Sequence, residues 1–204
     1  MFAAMSANQD PDAGLMLRVK RGDTAAFEQL VEKYKQPILN LIWRTIGDAT
    51  EAEDLAQNVF VQVYRSAGRY EASAKFSTWL FTIARNLCLN EIRRRSRHPA
   101  DPLEATPPDL DEASARQFED LKATAPPEAL LQLELARQIE KALADLPENQ
   151  RTAILLFREG DLSYEDIAKV LGTSLSATKS LIHRGRETLK QKLKPYLKTG
   201  LWVE

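Results

Sequence analysis

Apolar residues recur at helical spacing in two separate stretches of this chain. In the first, Leu15, Leu17 and Val19 are followed by Phe27, Leu30, Val31 and Tyr34, with Gly22-Asp23 between them as a break and a side-chain cap. Ile38, Leu41, Ile42 and Ile46 continue the pattern, and Pro37 is tolerable near a helix start or as a kink. Gly47-Asp48 ends that helix, and Asp48 or Thr50 caps the next, whose stripe is Ala52, Leu55, Val59, Phe60 and Val63, closed by Gly68. Ser77 or Thr78 is expected to open a further helix carrying Trp79, Leu80, Ile83, Leu87 and Ile92. The second stretch opens near Glu128. Leu130, Leu131, Leu133, Leu135, Ile139, Ala142 and Leu143 form one helix, and Leu146-Pro147 starts another with Ile154, Leu155, Leu156 and Phe157 buried and Gly160 at its end. Leu162 to Ser180 then reads as helix, tight turn and second helix, and Leu189, Leu193 and Leu197 give the tail an apolar side. No alternating apolar run argues for an extensive sheet, so the expected fold is all-α.

Between the two stretches the composition changes. Pro99, Pro102, Pro107, Pro108, Pro126 and Pro127 break any long helix, and eight acids from Asp101 to Glu128 face only Arg116 and Lys122. Residues 99–127 therefore read as a flexible acidic linker, with room for a short helical turn around Ala113–Lys122. The expected domains are 10–98 and 128–198.

The net charge of −1 hides a segregation that matters. Arg85 and Arg93-Arg94-Arg95-Ser96-Arg97 form one basic block, and Lys179 to Lys198 forms a second. Two basic patches flanking an acidic tether point to a nucleic acid as partner. Cys88 is the sole cysteine, which precludes an internal disulfide and fits a reducing cytoplasm. The N-terminal residues lack the pattern of a secretion signal, Met5 is as good a start as Met1, and no apolar run approaches the roughly 20 residues that span a bilayer, so no membrane insertion is expected.

The segment Leu162-Ser163-Tyr164-Glu165-Asp166-Ile167-Ala168-Lys169-Val170-Leu171-Gly172 carries a small residue where two helices would cross and a glycine at the bend. That is a helix-turn-helix pattern, whose second helix can enter a DNA major groove. In that helix Leu175, Thr178 and Ile182 fall on an inward face, while Lys179, Ser180, His183, Arg184 and Glu187 fall outward. Arginine pairs bidentately with guanine, serine meets base edges, and cations hold phosphates. The plainer reading is a solvated face of an ordinary bundle. Phe76 to Arg95 mixes aromatics with a basic end, which suits unstacked single-stranded bases. Equally, Trp79, Phe81 and Ile83 could be core with the arginines solvated. Glu51, Glu53 and Asp54 could bind magnesium in a metal-dependent nuclease, but acids at a helix N-terminus are explained more simply by the helix dipole. Gln57 and Asn58 beside them suggest a protein-binding surface. With two histidines, His98 and His183, one cysteine and no phosphate-cradling glycine loop, the chain offers little for catalysis, so no enzyme, cofactor or metal is expected.

Several short segments together resemble the extracytoplasmic-function (ECF) group of the sigma-70 family of bacterial RNA polymerase sigma factors. They are Gly22-Asp23-x-x-Ala26-Phe27, Glu53-Asp54-Leu55-Ala56-Gln57-Asn58-Val59-Phe60, Phe76-x-x-Trp79-Leu80-x-x-Ile83-Ala84-x-Asn86, Leu146-Pro147 and Leu162 to Ala168. The resemblance implies a sigma-2-like first domain and a sigma-4-like second. It implies that Asp54, Gln57, Asn58 and Phe60 dock on the beta-prime clamp helices of core polymerase, although Asn58 stands where Glu is common. Phe76 to Arg97, Trp79 included, would melt and hold the minus-ten element, with Ser66, Tyr70, Ile83 and Asn86 around a flipped-out base and Arg85, Arg93 and Arg94 on phosphates. Lys179, Ser180, His183 and Arg184 would read the minus-35 element, with the second domain on the beta flap. Leu181 and Gly185 depart from the Arg and Ala usual there, and a mid-helix glycine loosens a helix by about 1 kcal/mol relative to Ala. The resemblance also implies a cytoplasmic protein, and an anti-sigma factor as a partner the two domains could accommodate. The alternative is a stand-alone helix-turn-helix regulator that binds a duplex palindrome as a dimer.

Overall fold

The computed structural model describes residues 10–97, 127–160 and 162–197; the expected linker lies almost wholly outside them. The described residues form eight α-helices and one 3₁₀ turn. They are α1 (Pro11–Val19), α2 (Thr24–Ile46), α3 (Ala49–Ser66), the 3₁₀ turn (Ala67–Arg69), α4 (Phe76–Arg97), α5 (Pro127–Ala144), α6 (Glu148–Glu159), α7 (Tyr164–Leu171) and α8 (Leu175–Leu197).

Local chemistry sets most of the boundaries. Asp23 caps α2 by accepting from the Ala26 N–H at 3.0 Å, and Asp48 caps α3 through Glu51 N–H at 2.8 Å. Gly47 ends α2 with φ 77°, a left-handed backbone that favours glycine. Pro37 sits inside the continuous α2. The start of α4 departs from expectation. It begins at Phe76 rather than at Ser77 or Thr78, and its cap comes from far away: Asp10 accepts from the Phe76 N–H at 2.7 Å while also capping α1 through Asp12 N–H at 3.0 Å. The end of α3 differs too, because it stops at Ser66 and the chain tightens into the 3₁₀ turn before Tyr70.

Helices α1 to α4 pack around Met16, Leu30, Ile38, Leu41, Ile42, Val59, Phe76, Leu80 and Phe81. Beside that core, Asp12 accepts from Lys33 at 2.6 Å and from the Tyr34 hydroxyl at 2.6 Å. Burial and that carboxylate together hold the Tyr34 hydroxyl protonated far above its ordinary range. Helices α6, α7 and α8 bury Leu155, Leu156, Ile167 and Ile182.

The two helical units are pressed together. Helix α2 packs against α5 and α6, and α4 against α7, so one apolar core runs through both. Gly160 marks one close approach. A Cβ there would lie 3.0 Å from Phe81 Cε2 and 2.9 Å from Leu162 Cγ, so the end of α6 needs a residue without a side chain.

Candidate nucleic-acid and polymerase interfaces

The helix-turn-helix is built by reciprocal capping. Ser163 Oγ accepts from the Asp166 N–H at 3.1 Å and donates to Asp166 Oδ2 at 2.7 Å. Burial pushes the Asp166 carboxyl up, but the Ser163 hydroxyl and the ammonium groups of Lys75 and Lys169 outweigh it and hold the carboxyl below its ordinary range. Gly172 ends α7 with φ 64°. Ser174 caps α8 through Ala177 N–H at 3.2 Å, and the Thr173 and Thr178 hydroxyls meet at 2.9 Å across the turn. Thr178 and Ile182 are buried, as their spacing predicted.

With that face buried, Lys179, Ser180, His183, Arg184 and Glu187 project outward. Lys179, Ser180, His183, Arg184, Arg186 and Tyr164 line an open concavity of about 510 Å³ along the helix. The Arg186 guanidinium stands 4.5 Å over the Phe157 ring, which fixes the helix edge by a cation–π contact. The mid-helix Gly185 proves to be a packing device. It is buried, and a Cβ there would meet Ile154 Cγ1 at 2.9 Å, so its absence lets α8 lie close on α6.

Helix α4 carries the second candidate surface. Trp79 is half-buried, its ring 5.0 Å from Tyr70 and 5.9 Å from Phe76. Ser66, Ile83 and Arg85 are half-buried, and Asn86 and Arg93 are exposed. Phe81 is core, as the plainer reading allowed. Two expected DNA-facing residues are not free in this arrangement. Tyr70 is 3 % exposed, with its hydroxyl buried and without a hydrogen-bond partner, and burial pushes that phenol up to about 12. Arg94 is tied to acids: its Nε and Nη2 donate to Glu91 at 2.7 Å each, and Nη2 also reaches Glu51 at 2.9 Å. Arg95 likewise pairs with Glu51 and Glu91 and donates to the Ile46 carbonyl at 3.2 Å. Glu51 thus clamps the end of α4 to the start of α3, a role its position in the acidic cluster did not reveal. Among the described residues no group of three acids, histidines or cysteines could hold a metal ion.

The third surface lies on α3. Asp54, Gln57 and Asn58 are exposed and Phe60 is half-buried. Val61 and Tyr64, which sequence reasoning passed over, are large apolar residues left exposed on the same side, with Tyr64 stacked obliquely on Phe27 at 5.1 Å. The signal was present in the spacing, since Val61 follows Gln57 by one helical turn and Tyr64 by two.

Comparison with known proteins decides what these three surfaces belong to. Residues 30–98 match Sigma-70 region 2 and residues 136–189 match Sigma-70 region 4. The chain belongs to the sigma-70 family. It is similar to the RNA polymerase sigma-H factor of Pseudomonas aeruginosa, with 39% identity over 93% of this chain and 97% of that one. It is also similar to the ECF RNA polymerase sigma factor SigW of Bacillus subtilis, with 34% identity over 87% of this chain and 94% of that one. The solved structure of CnrH in complex with the cytosolic domain of CnrY matches with a TM-score of 0.64 and 25% identity, covering 91% of this chain and 99% of that one. This is an ECF sigma factor, a non-enzymatic subunit that directs RNA polymerase to promoters. A stand-alone regulator would account for the second regional match and leave the first without a reason. Among the described residues, no helix of this sigma factor is long and apolar enough to cross a membrane.

Proposed function

We propose that residues 128–198 read the minus-35 element through the outward face of α8, with Arg184 and Lys179 as the principal cations and Ser180 and His183 at base edges. The observation that carries this reading is the clean division of α8, whose Thr178 and Ile182 are buried while these four residues are exposed. A cationic helix held by a packed turn is what a major groove accepts.

In the same reading, residues 10–98 dock on core polymerase through Asp54, Gln57, Asn58 and Phe60, with Val61 and Tyr64 adding apolar area. Trp79, Ile83 and Asn86 meet the opened minus-ten strand beside Ser66 and Tyr70, and Arg85 and Arg93 hold phosphates. Arg94 braces α4 through Glu91 and Glu51 and contributes charge only after exchanging those partners. The acidic linker passes through polymerase channels that otherwise carry nucleic acid, and the work is cytoplasmic. An anti-sigma factor is a fitting partner. The CnrH structure was solved with the cytosolic domain of CnrY bound, and the exposed faces proposed here for DNA and polymerase are open to a partner of that kind.

Flipping a base costs a few kcal/mol of stacking, more than one small domain recovers alone. Two weak modules held on one scaffold gain effective concentration. The free chain therefore binds promoter duplex poorly and gains specificity with core polymerase. In vitro transcription on genomic fragments tests the whole reading: start sites that require the chain and vanish with Arg184→Ala or Trp79→Ala support it. Initiation indifferent to the added chain refutes it.

A further inference from the structure

Both ends of α1 reach the connection that joins the 3₁₀ turn to α4. At the start of α1, Asp10 divides its two carboxylate oxygens between two backbone groups. Oδ1 accepts from the Asp12 N–H at 3.0 Å, and Oδ2 accepts from the Phe76 N–H at 2.7 Å. At the other end, Lys20 Nζ donates to the Tyr70 carbonyl at 2.9 Å. Tyr70 follows the 3₁₀ turn directly and Phe76 opens α4, so the two bonds fall on the two ends of the connection. Asp10 and Lys20 stand ten positions apart, about 15 Å along a helix axis. Helix α1 is thus a spacer between those ends. It is fixed in turn on α2, where Lys33 and the Tyr34 hydroxyl donate to Asp12 and where Ala13, Met16 and Val19 are buried. The Tyr34 ring lies 5.5 Å from that of Phe76. Every partner in this frame belongs to residues 10–97, so the frame does not depend on the second unit.

We propose that Asp10 and Lys20 are positioning residues for minus-ten recognition, holding the connection between Tyr70 and Phe76 so that the two halves of the base pocket keep their register. The inference rests on the reading in which Ser66, Tyr70, Trp79, Ile83 and Asn86 surround the captured base. Ser66 and Tyr70 precede the connection, and the other three follow it on α4. The halves meet where the Tyr70 ring lies 5.0 Å from that of Trp79. The connection has little side-chain packing to hold them there. Glu71 and Ser73 are exposed, and Ala72 and Ala74 are small and half-buried. A recognition site needs its groups held within about 0.5 Å of the productive geometry. The first turn of α4, which carries Trp79, takes its cap from α1 and not from its own neighbours. A carboxylate is required at Asp10 because both of its oxygens accept. An asparagine would turn its NH₂ group toward one of the two N–H donors and leave that donor unpaired.

The test uses reconstituted holoenzyme and fluorescent single-stranded oligonucleotides. They carry the non-template minus-ten sequence of a mapped promoter, with each base placed in turn at each position. The parent should prefer one base at the captured position by at least about fivefold, the lower end of what a single mismatch costs. Asp10→Asn and Lys20→Met should each more than halve that preference, while assembly with core polymerase and binding of minus-35 duplex stay at the parent level. Lys20→Arg keeps a donor and should restore the preference. Lys20 is exposed, so its variants keep the proposal falsifiable even if Asp10→Asn does not fold. Asp48→Ala removes a cap of the same kind from α3 and should lower the melting temperature without moving the base preference. An unchanged preference in Lys20→Met, or in a folded Asp10→Asn, overturns the proposal. So does an equal loss in Asp48→Ala, which would mark a general loss of stability. A parent holoenzyme with no preference at any position removes the minus-ten reading itself, and the proposal with it.

Discussion

Arg93 and Arg94 are adjacent on α4, carry the same charge, and have opposite surroundings. Arg93 is exposed and has no acidic partner among the described residues. Arg94 is held by Glu91 and Glu51 through three short bonds, and Glu91 is itself buried. A phosphate can recruit Arg93 at little cost. To recruit Arg94 it must displace two carboxylates and leave Glu91 with Arg95 alone, at 3.2 Å. The two alanine substitutions should therefore separate. Each phosphate contact contributes about 0.7 to 0.9 to the slope of log affinity against log salt, so one contact is worth about 2.6- to 3.5-fold between 50 and 200 mM salt. Arg93→Ala in the holoenzyme should lower the slope for promoter binding by that amount and leave the melting temperature of the free chain unchanged. Arg94→Ala should leave the slope nearly unchanged and lower the melting temperature. The assay is promoter binding by reconstituted holoenzyme across a salt series, paired with thermal unfolding of the chain alone. Equal slope losses for the two variants would refute the reasoning, since they would show that the acids do not withhold Arg94 from DNA.

Other substitutions probe the rest of the arrangement. Ile182→Ala removes a fully buried side chain from the helix-turn-helix core and should cost about 2–5 kcal/mol, measured by denaturant unfolding; a cost below 1 kcal/mol would mean that α8 is not seated as described. Tyr70→Phe deletes a buried hydroxyl that has no partner, so the melting temperature should hold or rise, by up to about 1 kcal/mol of stability, and a clear fall would reveal an unseen bond. Asp166 has a folded-state carboxyl held below 3.8, so its contribution is complete above the unfolded value and is lost as pH falls through the folded one. Stability measured from pH 5 downward should decline less steeply in Asp166→Asn than in the parent, and parallel acid limbs would contradict the assignment.

The elements legible in the sequence are those whose determinants are local. Asp23, Asp48 and Gly47 mark helix ends because a cap or a left-handed residue acts within a turn of where it stands. The inward face of α8 followed from helical spacing, and the order of motifs led to the family. What spacing could not show depends on residues distant in sequence. The cap of α4 belongs to Asp10, which no local scan connects with Phe76. The clamp of Arg94 and Arg95 by Glu51 turned an acidic helix start and a basic helix end, read separately as dipole and phosphate chemistry, into one structural contact. Arg44, which pairs with Glu140 and Glu159, gave no signal at all, because both partners lie beyond the linker. Tyr70 shows the same limit: its identity suits a base pocket, but its burial is decided by how Phe76 and Trp79 pack around it.

The notch at Gly185 bears on the proposed reading of the minus-35 element. The stance of the reading helix depends on how deeply Ile154 sits in that notch, and Ile154 is not among the exposed residues that would meet DNA. A larger or smaller side chain at Ile154 would tilt the whole row of reading residues while leaving each of them unchanged. On the proposed reading, promoter preference thus depends on a position that itself touches no base.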